Sequence, residues 1–200
     1  MTSKIRSTTI VAFMGVDGSG KSTLIKTLIK KLKKKYKYIK YIHLRPYLFI
    51  IDKSTVNSDP HKKKKLTSKF TSLFTILLWL IIYKFFFLCV FRKKNQLVIF
   101  DRYAHDLLID KVRYQFNLSK KYTELILNLF PEPHLWIFLK APISIIENRK
   151  KELPQSELKK QIKKYINFSK SKKNSIIVNT NAPIQKNISL IVKNINNTLV

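Results

Sequence analysis

Three glycines, one cysteine and eleven carboxylates are all that two hundred residues hold of these types. The lone cysteine, Cys89, excludes an internal disulfide, so a reducing cytoplasm is the expected compartment. Four histidines, His43, His61, His105 and His134, are scattered with none at ligand spacing, which argues against a histidine-built metal site. The apolar run near the N-terminus is too short for a signal peptide and leads into glycines instead of a cleavage site. Acid is the scarcest commodity: 40 Lys and Arg face 11 Asp and Glu, for a formal charge of +29. Only six of the cations are arginine, and the lysines are spread along the chain among Ile and Asn. That pattern describes a solvated basic surface drawing anions weakly, not an Arg-and-aromatic reading face, so no specific nucleic-acid partner is expected.

The length suits one domain with a substantial core. Residues 8–14 read as a buried strand stopped by Gly15, and 22–35 as a helix with Leu24, Ile25, Leu28, Ile29 and Leu32 on one stripe. Further strands are expected at 38–44, 96–101, 134–140 and 175–180. Between them, Ser119 is placed to cap a short helix ending near Phe130, and Pro142 suits the first turn of the next. A lysine-rich helix should run to about Lys170, and a last one should bury Ile184, Ile188, Ile191 and Ile195. Continuous apolar strands alternating with amphipathic helices imply a parallel sheet covered on both faces. The lysine run 62–65 falls in a polar stretch expected to be a loop or helix edge.

Residues 70–91 break the pattern, being long enough to span a bilayer with a single charge, Lys84. A span would put the glycines and the strand at 96–101 on opposite sides of the membrane, and basic residues flank both ends. A helix covering the sheet or lying on a membrane surface fits better.

All three glycines lie in the stretch GVDGSGKST, Gly15 to Thr23. The pattern of glycine, four residues, then Gly-Lys-Ser, with an apolar strand before and a helix after, is that of a phosphate-binding loop. Its amides curl around nucleotide phosphates at a helix N-terminus, Lys21 neutralises the outer phosphates and Ser22 offers a hydroxyl to Mg²⁺. The second constellation is FDRYAHDLLID, 100–110, where Asp101, Asp106 and Asp110 crowd into ten residues beside Arg102 and His105. An aspartate at the tip of a buried strand sits where open sheets bind ligands, ready to order a metal, a water or an attacking hydroxyl. Arg102 is suited to grip a second phosphate. The plainer reading of Asp106 and Asp110 is a solvated helix start paired with Lys111 and Arg113. A histidine beside a strand end, as at His43 and His105, is more often structural.

Together, GVDGSGKST and FDRY resemble the thymidylate kinase family of P-loop nucleoside monophosphate kinases. The likeness is stronger to a thymidylate kinase-like branch, where stretches similar to HLRP, FDRYAHDLLID, FLKAP and ENRKKEL occur, and it covers roughly residues 8–195. It implies an α/β, three-layer P-loop kinase fold with a five-stranded parallel sheet flanked by helices, in one domain with a short lid near 149–157. It also implies ATP and Mg²⁺ as cofactors. Gly15, Asp17, Gly18, Ser19, Gly20, Lys21, Ser22 and Thr23 would bind the nucleotide, and Asp17 would also meet the acceptor's sugar hydroxyl. Arg45 and Arg102 would hold the acceptor phosphate, and Tyr103 would line its pocket. Asp101 would serve the metal with Ser22. Arg149 would be the lid arginine that joins Lys21, Asp101 and Arg102 in catalysis, and residues 178–183 would border the adenine.

The chain also departs from the family. Met14 stands where thymidylate kinases usually carry glutamate, Lys140 where the branch commonly has aspartate, and the lid keeps one arginine beside Lys150 and Lys151. The implied activity is phosphoryl transfer from ATP to a nucleoside monophosphate, dTMP first, within nucleotide biosynthesis. The alternatives are another acceptor (a nucleoside, a sugar or a membrane-associated glycan precursor) or a nucleotide-binding protein without turnover. Besides the nucleotide, the candidate partners are a second copy of the chain and a membrane surface met through 70–91.

Overall fold

Five strands of five to seven residues form: β1 (Thr8–Met14), β2 (Tyr38–His43), β3 (Gln96–Asp101), β4 (Leu135–Lys140) and β5 (Ser175–Asn179). The structure, a computed structural model, describes residues 8–44, 66–149 and 153–198. All neighbouring strands pair in parallel in the order β2-β3-β1-β4-β5. The helices are α1 (Lys21–Leu32), α2 (Lys69–Phe91), α3 (Asp106–Ile109), α4 (Lys120–Leu127), α5 (Ile143–Arg149), α6 (Gln155–Lys170) and α7 (Ile184–Asn197).

The central strand β1 is buried along its whole length, because successive residues feed opposite cores. Val11 and Phe13 face Leu24, Ile25 and Leu28 of α1 and Ile188, Ile191 and Ile195 of α7. Ile10, Ala12 and Met14 face the other way, into a larger core with Phe100, Trp136, Phe138 and residues of α2, α4 and α6. Ile184, expected on the buried side of the last helix, is only partly buried. The edge strand β2 exposes Tyr38 and Tyr41 and carries Lys40, a charge that discourages further strand pairing there. Ser119 caps α4 as expected, its hydroxyl accepting from the Tyr122 amide. The lysine run 62–65 lies outside the described residues.

α2 starts at Ser68, whose side chain accepts from the Thr71 amide at 3.0 Å. Its inner stripe, Ile76, Trp79, Tyr83, Phe87 and Val90, is buried against the sheet. The Tyr83 ring lies 5.7 Å from Phe100, 4.9 Å from Tyr103 and 5.3 Å from Phe130. This helix is therefore a wall of the larger core, although its length and composition would also suit a membrane crossing. Its apolar outer half remains exposed.

His105 belongs to the same core. Its ring stacks on Tyr103 at 5.8 Å and on Phe168 at 5.4 Å, with only 3% of its surface exposed. Burial, aided by the charge of Lys172, pushes the imidazole down from 6.5 to about 3. The folded state thus holds His105 neutral while the unfolded chain protonates below 6.5. Its contribution to stability is full above that pH and is lost progressively as the pH falls towards 3.

Two outcomes are expected. Phe100→Ala should lower stability by about 3–5 kcal/mol in chemical denaturation, whereas Phe85→Ala on the outer face of α2 should change it by about 0.5 kcal/mol or less. His105→Phe should flatten the acid side of the stability-against-pH curve between pH 6.5 and about 3, measured by thermal midpoints across that range.

Candidate functional site

β1 ends at Met14 and the chain turns at once through Gly15, at φ +151°. A Cβ at Gly15 would lie 3.1 Å from Ser19 Oγ and 3.2 Å from the Leu139 carbonyl oxygen, so a side chain would strain the turn. Gly20 at φ +92° begins α1, and a Cβ there would approach Arg149 Nη1 and Thr180. Ser19 is fully buried, its amide donating to the Val16 carbonyl at 3.3 Å. Lys21, in the first turn of α1, folds its ammonium back over the loop and donates to the Gly15 and Val16 carbonyls, both at 2.7 Å.

Strand register brings the second constellation alongside. Phe13 of β1 pairs with Asp101 of β3, and His43 of β2 pairs with Asp101 from the other side. Asp101 is 3% exposed. Its Oδ2 accepts from the Tyr41 hydroxyl at 2.9 Å and lies 3.1 Å from His43 Nδ1. Its Oδ1 is buried with no hydrogen-bond partner among the described residues. Burial alone would raise this carboxyl, but the hydrogen bonds from His43 and Tyr41 and the charge of Lys21 together outweigh it and hold Asp101 below the usual range.

Arg102 adopts a left-handed backbone, φ +69°, and its amide donates to the Phe13 carbonyl at 2.9 Å. Its guanidinium is buried. Nη1 donates to Asp106 Oδ2 at 2.6 Å and to the Tyr165 hydroxyl at 2.9 Å, while Nη2 donates to Asp17 Oδ1 at 2.6 Å. Burial would weaken its proton affinity, yet the Asp106 charge reverses this and keeps it firmly cationic. Asp106 also accepts from the hydroxyls of Tyr114 and Tyr165. The other oxygen of Asp17 accepts from Arg113 Nη2, and Arg113 Nε donates to Asp110 Oδ2 at 3.2 Å. Asp17 thus bridges two guanidiniums, and the fork expected to bind a phosphate is already engaged by protein groups.

These elements surround one cleft of about 670 Å³. Asp17, Gly18, Gly20, Lys21, Ser22 and Thr23 line it, as do Asp101, Arg102 and Arg149. Arg149 Nη1 lies 3.4 Å from the Gly18 carbonyl oxygen. Thr180 and Ala182, from the stretch expected near adenine, contribute as well. Asn187 of α7 joins them and holds that turn, donating to the Asn179 carbonyl at 2.9 Å. Gly15 and Ser19 shape the loop without lining the cleft.

Several expectations need correcting. Tyr103 does not line this cleft; it is fully buried in the aromatic core, with its hydroxyl donating to the Pro131 carbonyl. Asp106 is no solvated helix residue, being 0% exposed at the centre of the charge network. Arg113 pairs with Asp110 at the cleft wall and not on a solvated helix start. Only its i+3 spacing from Asp110 signalled its anchoring. His43 reaches Asp101, whereas His105 does not enter the cleft. Met14 is wholly buried, and Lys140 is exposed outside the cleft. Arg45, Lys150 and Lys151 lie outside the described residues.

Removing Asp106 would leave Arg102, Tyr114 and Tyr165 short of their shared acceptor. Asp106→Ala is therefore expected to cost about 3–5 kcal/mol of folding stability, read from denaturant midpoints, far beyond a surface ion pair.

No family model matches the chain, and no curated protein does. Solved structures do. The thymidylate kinase from Candida albicans is 19% identical with a TM-score of 0.63, the match covering 100% of this chain and 96% of that one. The thymidylate kinase from Ehrlichia chaffeensis is 16% identical with a TM-score of 0.64, over 93% and 97% of the two chains. The chain has the α/β, three-layer P-loop kinase fold of these thymidylate kinases, with its five-stranded parallel sheet and flanking helices.

Proposed function

We propose that this chain is an ATP- and Mg²⁺-dependent P-loop kinase of nucleotide biosynthesis that phosphorylates a nucleoside monophosphate, dTMP first, in the cytoplasm. The observation that carries the reading is the shared cleft, where Gly20, Lys21 and Ser22 meet Asp101 and Arg102. An acceptor phosphate oxygen attacks the γ-phosphorus of ATP, the bond from that phosphorus to the β–γ bridging oxygen breaks, and ADP leaves with its electron pair.

Little covalent help is required of the protein in such a transfer, and positioning and charge do most of the work. The loop amides and the start of α1 hold the donor phosphates. Lys21 moves from the loop carbonyls to the outer phosphates, a short reach because its ammonium already lies in the cleft. Arg149, beside Gly18, stabilises charge on the transferring group. Ser22 and Asp101 would hold Mg²⁺, which when bound neutralises and aligns the phosphate oxygens. The buried Oδ1 of Asp101, without a hydrogen-bond partner among the described residues, fits an oxygen-seeking cation, and the depressed carboxyl keeps it anionic. Among the described residues no cluster of three His, Cys, Asp or Glu would cage a metal alone, so the phosphates would complete the shell. On the acceptor side, Asp17 faces the sugar hydroxyl and Arg102 the phosphate, and Arg113 joins them.

A second reading keeps the transfer and changes the acceptor to another phosphorylated compound. It is favoured by the Asp17 bridge, because two guanidiniums recognise an anion and do not read a base.

Incubation with ATP, Mg²⁺ and a panel of nucleoside monophosphates, nucleosides and sugar phosphates separates the two. Production of ADP and a nucleoside diphosphate, dTDP first, supports the first; turnover of a sugar phosphate while every nucleoside monophosphate is inert supports the second. Lys21→Ala should lower the rate by at least roughly a hundredfold. An unchanged rate in that variant would remove the loop from the mechanism.

A further inference from the structure

We propose that the outer face of α2 docks on an anionic membrane surface. Phe70, Phe74, Leu77, Ile81, Phe85 and Leu88 are between 41% and 80% exposed. Their spacing of three to four residues puts them on one stripe, about 27 Å long at the helical rise. The neighbouring α4 packs against α2 and exposes Tyr122 and Leu125, with Leu129 exposed just past its end, so apolar surface is presented by both helices. A stripe of this size exceeds the scattered apolar residues ordinary for a soluble surface.

Charge selects the occupant. Lys69 opens the helix, exposed Lys84 interrupts the stripe, and Arg92, Lys93 and Lys94 follow its end, all exposed. The sequence has no carboxylate between Asp59 and Asp101. In a two-fold contact between copies, these cations would meet their own kind with no acid on the helix to pair them. Anionic headgroups supply the missing counter-charge, while the aromatic and aliphatic side chains enter the boundary below them. The aliphatic stem of Lys84 lets its ammonium reach back to the headgroups. The inner stripe stays in the protein core, so the helix lies along the membrane without crossing it. Among the described residues that line the cleft, none comes from α2.

The test is co-sedimentation of the purified chain with vesicles of phosphatidylcholine alone or with added phosphatidylglycerol, beside sedimentation velocity without lipid. Binding should be strong on the anionic vesicles and weak on the neutral ones. Ile81→Asp with Phe85→Asp should weaken it roughly tenfold or more at an unchanged melting temperature. Lys93→Glu with Lys94→Glu provides a milder check that leaves the stripe intact and should also lower anionic binding. The proposal is overturned if wild type stays in solution with anionic vesicles, binds both vesicles equally, or binds as well after the aspartates are introduced. A stable dimer that the aspartates split, with no vesicle binding, would assign the face to a second copy instead.

Discussion

The pairing of β1 with β3 is the constraint on which the rest depends. With Phe13 opposite Asp101, the end of one strand releases the glycine loop beside the point where the other presents its acid. A one-residue slip would turn Asp101 to the other face of the sheet. The Arg102 amide, bound to the Phe13 carbonyl, fixes that end of the ladder. Holding a non-glycine residue at φ +69° costs on the order of 1 kcal/mol, which the hydrogen bond and the surrounding ion pairs offset.

The scarcity of acid gives the charge network its character. Four of the eleven carboxylates, Asp17, Asp101, Asp106 and Asp110, gather at or beside the cleft, while cations cover the surface elsewhere. Exposed lysines are hydrated and contribute little to stability. The buried groups are different, because a charge removed from water needs a close partner. Arg102 therefore holds Asp17 and Asp106 at 2.6 Å each, and Tyr165 of α6 is drawn into the same cluster. Burial at the strand tip thus links β3, α3, α6 and the glycine loop electrostatically.

Much of the fold is legible in the sequence because its signals are local. Unbroken apolar runs mark strands buried on both faces, and a glycine loop between strand and helix places the first crossover. The loop's own members are legible for the same reason: Gly20, Lys21 and Ser22 are adjacent in the chain and in space. Long-range placement is less so. Tyr103 follows Asp101 and Arg102 in the motif, yet it turns into the aromatic core. Arg113 looks like an ordinary surface cation, and only the fold brings it to Asp17, 96 residues away. α2 is apolar around its whole circumference, so periodicity could not assign its faces; the contact of its Tyr83 and Phe87 rings with Phe100 of β3 does.

Asp17 belongs at once to the glycine loop and to the ion pairs that Arg102 and Arg113 make beside Asp101 and Asp110. Drawing either arginine towards an incoming anion loosens its grip on Asp17, and with it changes the field around Lys21, whose ammonium lies 4.0 Å away. The two halves of the cleft are therefore thermodynamically linked: whatever occupancy of one half does to affinity in the other is returned in equal measure.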